Sequence, residues 1–395
     1  MGRVILLLLG AAMCLAWSSL TVVRATNVPL WMLALLSTEL GHYLAVLAWA
    51  WAVWSIGRAV RTREHRWCVV LAASILVVAG GLFLRPVTSG WRQMQVLPDR
   101  LSQVFPAGPR EALHIDWQRL LLPRWGSRVV VESFVFTPAD APETLRLDFY
   151  RASRTGAVPC LVVIHGGGWD GGDAGQFSEW NHEWAQRRFA VAAIRYRLAP
   201  RYPWPAQRED TLAAIAWLKT HAHRLGLDPR RFVLLGRSAG GQIATAVGFG
   251  EEDPAIRGVI ALYAPHDLHF VWSIAREDDV LNSVKLMRQY LGGPPDASRR
   301  HLYDSASAQL MVRPGRTPPT LLLHGALDEL VWVEHSRRLA HRLQKANLPA
   351  LLVELPWATH AFDYHRSGPG GQLTAAVVDH FLTAVTQPGD PEKGE

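Results

Sequence analysis

The chain has 395 residues, 49% of them apolar, and a formal net charge of +7. A single core rarely grows past about 250 to 300 residues, so this length accommodates one large domain plus a further segment. Nearly all of the net charge lies within residues 1–100, where nine Arg face only Glu39, Glu64 and Asp99. The rest of the chain is close to neutral, which excludes a polyanion-binding field and hence a nucleic-acid partner.

The N-terminal region has the composition of a membrane segment. Val4 to Val23 is an apolar run interrupted only by Ser18, Ser19 and Thr21, about the length that crosses a hydrocarbon core. Cleavage after Ala25 is the alternative, but Val23-Arg24-Ala25 is a poor signal-peptidase site. A second span is expected over residues 37–56 and a third over 67–84, bracketed by Arg66 and Arg85. Residues 28–37 then lie along the interface. Glu39 and His42, three apart on one helix, fall at the membrane boundary rather than inside it; an intramembrane ionisable pair is the alternative. The loop between the second and third spans carries Arg58, Arg61, Arg63 and Arg66, against Arg24 alone in the first loop. The positive-inside rule makes the former cytoplasmic and puts everything after residue 84 outside, with Arg85 and Arg92 the counter-signal. The expected location is therefore a multi-pass cell-membrane protein with an extracytoplasmic domain.

Residues 87–126 mix Pro, Arg and short amphipathic stretches and read as a juxtamembrane linker. Beyond them, Val129 to Phe136 and Thr144 to Tyr150 have the alternation of a β-hairpin. Cys160 to Ile164 is wholly apolar, as in a strand buried on both faces. Strands at 189–194, 231–235, 259–263, 320–323 and 351–355 alternate with helices at 205–221, 240–248 and 334–346. This is the pattern of a mostly parallel, doubly wound sheet of about eight strands. Residues 265–319 are too long for a simple crossover, and a small helical insertion is expected near 270–291, with Trp272, Leu286 and Tyr290 as packing residues or pocket walls. The domain runs over 127–387, and 388–395 read as a disordered tail. Cys14, Cys68 and Cys160 sit in apolar runs and serve packing.

Gly236-Arg237-Ser238-Ala239-Gly240 follows a strand and opens a helix, the context that lifts a serine hydroxyl above a sheet on a sharp turn. The pentapeptide alone is a common coincidence; its position makes it informative. His165-Gly166-Gly167-Gly168-Trp169 follows the strand ending at Ile164, where glycines free backbone N–H groups to face a site. With the N–H of Ala239 they form an oxyanion hole, in which loss of one donor costs on the order of 100-fold or more. A phosphate-cradling loop is the alternative, but the Rossmann and P-loop spacings are absent.

Serine needs a base. Of 16 histidines, His360 stands in a loop just after the strand at 351–355, and Asp328 in the matching loop after 320–323, where it can orient the imidazole. Ser238, Asp328 and His360 come in the order this architecture requires. Glu329 is the rival acid; His324 reads as structural, and His165 as a brace for the glycine loop. His266 and His269 lack further ligands at a useful spacing, so no metal site is expected.

HGGGW at 165–169, YRLAP at 196–200, PAQRED at 205–210, GRSAGG at 236–241, LLLHGALDELV at 321–331 and THAF at 359–362 resemble the α/β-hydrolase superfamily. The likeness is to its hormone-sensitive-lipase-like and feruloyl-esterase-like (BD-FAE) carboxylesterases. It covers about residues 129–385 and implies the α/β-hydrolase fold, cofactor-free hydrolysis of small carboxylic esters and oxyanion donors at Gly167, Gly168 and Ala239. Arg237 and Arg195 depart from residues common in these relatives, and Arg237 bears on the field at the serine. An amidase, aryl formamidase or peptidase of the same fold shares the machinery, and a non-catalytic membrane-associated protein is the alternative of a different class.

Overall fold

The computed structural model describes residues 2–62, 65–109, 112–123, 126, 128–137, 142–154 and 156–387. Arg63 and the tail expected at 388–395 lie outside these. The chain opens with helices α1 (Gly2–Ser18), α2 (Val28–Glu39), α3 (Gly41–Thr62) and α4 (Arg66–Val104), followed by the short α5 (Trp117–Leu121). Strands β1 (Val131–Val135), β2 (Arg146–Tyr150), β3 (Val158–Ile164), β4 (Ala190–Ile194), β5 (Leu227–Arg237), β6 (Ile256–Leu262), β7 (Thr320–Gly325) and β8 (Ala350–Leu355) form one sheet. Its order is β1-β2-β4-β3-β5-β6-β7-β8, antiparallel at β1/β2 and β2/β4 and parallel from β4 onward.

Helices cover both faces, which is why the central strands carry apolar residues without alternation: all seven residues of β3 are buried. The connections hold α6 (Ser178–Arg187), α7 (Ala206–Thr220), α8 (Ala222–Leu225) and α9 (Ala239–Gly250). The expected insertion between β6 and β7 comprises α10 (Leu268–Ile274), α11 (Ser283–Leu291), α12 (Arg300–Ala306) and α13 (Ala308–Met311). Helices α14 (Glu334–Lys345) and α15 (Pro369–Thr386) complete the chain. One core layer joins the sheet to α7, α9 and α14, the other to α4, α6 and α15.

Among the described residues, three helices are long and apolar enough to cross a membrane: Gly2–Thr21, Gly41–Arg61 and Arg66–Val104. The second differs from the 37–56 expected. The helix breaks at Leu40, because Gly41 packs directly on the Phe83 carbonyl and Glu39 is drawn away to the start of α15, where its Oε2 accepts the Gly370 N–H at 3.1 Å. Glu39 and His42 therefore do not share a helix face. His42 Nε2 meets the Leu120 carbonyl at 3.0 Å. Both residues tie the N-terminal helices to the domain.

Helix α4 also corrects the linker expected from residue 87, since it continues unbroken through Pro86 and Pro98 to Val104. Proline has no N–H, so Pro86 leaves the Leu82 carbonyl without its helical donor. The Thr21 hydroxyl reaches it at 3.1 Å, sharing a proton whose shorter bond, 2.8 Å, goes to the Ser18 carbonyl. Past Pro86 the helix turns its apolar face to the domain, burying Val87, Met94, Leu97 and Leu101 in the same core layer as β8 and α15. Its polar side chains run along the free edge of β8. Arg85, Gln93 and Arg100 donate to the carbonyls of Pro356, Glu354 and Leu352 at 3.3, 3.0 and 3.1 Å, which blocks an exposed edge strand from pairing elsewhere. Arg85, the counter-signal to the topology, is thus engaged by backbone carbonyls.

Because Leu97 is fully buried, Leu97→Ala should cost about 2–5 kcal/mol of stability. Val96→Ala, on the exposed face of the same turn, should cost under about 0.5 kcal/mol. Denaturant unfolding of the two variants in detergent reads the difference.

Candidate active site

The parallel strands end together, and the residues singled out from the sequence gather at their C-terminal ends. Ser238 joins β5 to α9 with φ 53° and ψ −121°, a left-handed conformation costing a non-glycine residue on the order of 1–3 kcal/mol. The turn is possible because its flanks are glycine. A Cβ on Gly240 would run into the carbonyls of Ile164 and His165, and one on Gly236 into that of Gly240. The bend is fixed from below by the Ser238 N–H bond to the Leu262 carbonyl at 2.9 Å.

The glycine run leaves β3 alongside this turn, close enough that a Cβ on Gly166 would sit 3.3 Å from the Ser238 Cβ. Gly167 and Gly168 have φ 121° and 61°. Their N–H groups make no intramolecular hydrogen bond among the described residues. Ala239 is the first residue of α9, so its N–H is likewise outside the helical ladder. The loop is held on both sides. His165 stacks on Tyr196 at 4.1 Å, and burial drives its imidazole down to about 4, leaving it a neutral brace. Trp169 stacks on Tyr290 at 4.3 Å, and both donate to Gln242 Oε1 at 2.9 Å. Tyr290 thus supports the loop. Of the three insertion residues singled out, Leu286 lines the cavity, whereas Trp272 packs against the core.

Asp328 lies in the loop after β7 and His360 after β8, with Asp328 Oδ2 2.7 Å from His360 Nδ1. The other carboxylate oxygen accepts the N–H groups of Leu330 and Val331, each at 2.9 Å. Burial alone would raise this carboxyl, but His360 and His324 together outweigh it and hold the group down to about 2. His324 meets the Val331 carbonyl through Nε2 at 2.8 Å and the Ser336 hydroxyl through Nδ1 at 2.7 Å, and the same Nε2 stands 3.3 Å from Asp328 Oδ2. Glu329 faces Arg24 at 3.8 Å instead of His360. His266 lies between Thr245 and Ser336, and His269 pairs with Asp304 at 2.7 Å.

Ser238 and His360 line one cavity of about 960 Å³, together with Gly167, Gly168 and Ala239. No hydrogen bond joins the Ser238 hydroxyl to the imidazole, a bond that commonly tightens only when substrate is bound.

Two groups of residues beside the site went beyond the sequence reading, which marked Arg237 but neither its partners nor Trp31. Arg237 is buried and donates to Asp363 Oδ2 at 2.6 Å, while the Tyr263 hydroxyl donates to Asp363 Oδ1 at 2.6 Å. Burial and the Asp363 carboxylate push the Tyr263 phenol well above its ordinary range, so it remains a donor. Its ring packs edge-on against His360 at 4.5 Å. The charge of Arg237 is therefore spent on Asp363, and the trio positions the histidine loop. Asp363 stands three residues after His360, a signal the THAF motif stopped short of. The second group is Trp31 on α2, whose indole N–H donates to the His360 carbonyl at 3.2 Å.

A serine on a strand-to-helix bend, facing a glycine loop and a paired imidazole over one mostly parallel sheet, is the arrangement of the α/β-hydrolase fold. Structural similarity agrees: the bacterial heroin esterase aligns with a TM-score of 0.59 at 22% identity, over 75% of this chain and 93% of that one. An esterase from Thermogutta terrifontis aligns with a TM-score of 0.54 at 25% identity, over 67% and 95%. The chain has the α/β-hydrolase fold, and residues 147–343 match the BD-FAE family model. Two Mycobacterium tuberculosis proteins are similar in sequence. Probable carboxylic ester hydrolase LipM is 30% identical over 268 residues, 63% of this chain and 60% of the relative. Esterase LipC is 29% identical over 271 residues, 62% and 63%. The chain thus spans about 60% of the length of these curated relatives.

Removing one member of a buried ion pair typically costs about 3–5 kcal/mol, so Asp363→Ala should destabilise the domain by that order through the unpaired Arg237. Thermal unfolding checks this. The depressed Asp328 carboxyl contributes stability that is fully present above about pH 4 and lost as pH falls through about 2. The stability gap between wild type and Asp328→Asn should accordingly shrink across that window in urea titrations.

Proposed function

We propose that the chain is a membrane-anchored serine hydrolase of carboxylic esters acting through Ser238, His360 and Asp328. The observation that carries this reading is the 2.7 Å bond from His360 to Asp328 in a cavity shared with a serine held at φ 53°. The ester hydrolases named among the relatives favour esters over amides.

In the first step Ser238 Oγ bonds to the ester carbonyl carbon while its proton passes to His360 Nε2. The carbonyl π pair moves onto oxygen, where the N–H groups of Gly167, Gly168 and Ala239 stabilise the developing charge. Collapse breaks the bond to the leaving oxygen, which takes the proton from His360 and departs as the alcohol. Water then attacks the acyl-serine, again losing a proton to His360, and the acid leaves as that proton returns to Ser238. Asp328 stays ionised throughout and holds the imidazole with Nδ1–H facing it. No cofactor or metal enters the cycle.

The three apolar helices support anchoring, and the arginines at 58, 61 and 66 support a cytoplasmic loop between α3 and α4. The hydrolase domain then faces outward. Ser238→Ala should lower turnover of p-nitrophenyl acetate by at least about 10³-fold in detergent-solubilised full-length protein. Equal rates for wild type and variant would end the enzyme reading. An impermeant fluorophosphonate should label Ser238 on intact cells, and labelling only after permeabilisation would reverse the topology.

A further inference from the structure

One wall of the cavity is not part of the hydrolase domain. It is built by α2, through Trp31, Met32, Leu35 and Leu36. This helix carries no charged residue before Glu39, and it lies between two of the membrane-length helices: it starts seven residues after Thr21 and ends two residues before Gly41. With such short tethers it stays at the level where those helices leave the bilayer. Its position against the domain is also fixed, by the Trp31 bond to His360 and the Glu39 bond to Gly370.

The decisive feature is where the apolar surface lies. Met32 and Leu36 line the cavity and are also 55% and 42% exposed. Leu33 and Val28 extend the same exposed apolar surface, at 37% and 39%. One helix face is therefore continuous from the serine to the outside, and it emerges beside membrane-spanning helices. A soluble substrate needs no such face, and in water it would be a liability. Alkyl chains in a leaflet would cover it at no cost in exposed apolar area, with each methylene kept out of water worth about 0.8 kcal/mol.

Resting on the hydrolase reading above, we propose that the site takes an acyl ester resident in the membrane, drawn in sideways from the leaflet along α2. The alkyl chain lies over Met32 and Leu36, and the ester carbonyl reaches Ser238 without the chain crossing bulk water. A volume of about 960 Å³ is at the upper end for a small-molecule site and accommodates a long acyl chain.

The test uses full-length protein reconstituted in phosphatidylcholine vesicles, with p-nitrophenyl acetate in the water and 4-methylumbelliferyl palmitate or butanoate dissolved in the bilayer. Wild type should hydrolyse the bilayer palmitate at least tenfold faster than the butanoate at equal mole fraction, and Ser238→Ala should abolish all three activities. Met32→Asp/Leu36→Asp should reduce palmitate turnover at least tenfold more than acetate turnover. Met32→Trp/Leu36→Trp, which narrows the mouth without adding charge, should do the same, and fluorophosphonate labelling of Ser238 reports that each variant is folded. Ser238-dependent acetate hydrolysis with butanoate preferred over palmitate, or with both activities falling equally in the folded variants, would overturn lateral entry and leave the esterase reading standing. Absence of Ser238-dependent hydrolysis of any of the three would overturn both.

Discussion

On the proposed anchoring, helix α4 is one continuous element that answers to two solvents. Its first half has the apolar length of a membrane span, and its second half is a wall of the hydrolase core and the cover for the β8 edge. A helix rises about 1.5 Å per residue, so on the proposed anchoring the height of the sheet follows from the span that α4 continues. A flexible linker would have let the domain sample many orientations. Here the loops that carry Asp328 and His360 are tied to α2 by the Trp31 bond to the His360 carbonyl, and every feature that joins α2 to the site depends on that.

The site itself is divided between rigidity and reach. Backbone geometry holds the serine and the glycine loop, because the close approaches at Gly166 and Gly240 leave no slack. The histidine is held by side chains: Asp328 orients the ring, and the Arg237, Asp363 and Tyr263 group buttresses its loop from the core side. Such a buried ionic cluster is weak evidence for stability, since desolvation offsets much of the attraction. Its value lies in holding one arrangement of the loop.

Much of this was legible in the sequence, for a physical reason. A strand buried on both faces must be apolar throughout, so β3 and its neighbours stood out without any alternation, and strand-to-helix bends need glycine on both sides. Ser238, Asp328 and His360 were identifiable because each follows a recognisable strand. What could not be read were contacts between distant parts. Trp31 lies 329 residues before the carbonyl it meets, and nothing in its surroundings marks it. The mix of Pro and Arg beyond residue 87 suggested a linker, and only the hydroxyl of Thr21 reveals how α4 passes through Pro86 just before it. Glu39 and His42 at helical spacing suggested one face, but a close approach at Gly41 broke the helix between them.

That threonine has a consequence for biogenesis. In hydrocarbon an orphaned peptide carbonyl costs several kcal/mol, and here the remedy for the third long helix is stored in the first. On the proposed anchoring the two are therefore thermodynamic partners, although residues 22–65 and two helices, α2 and α3, separate Thr21 from Arg66. During synthesis the earlier helix must still be at hand when the later one arrives, so assembly favours retention of neighbours over independent diffusion in the bilayer.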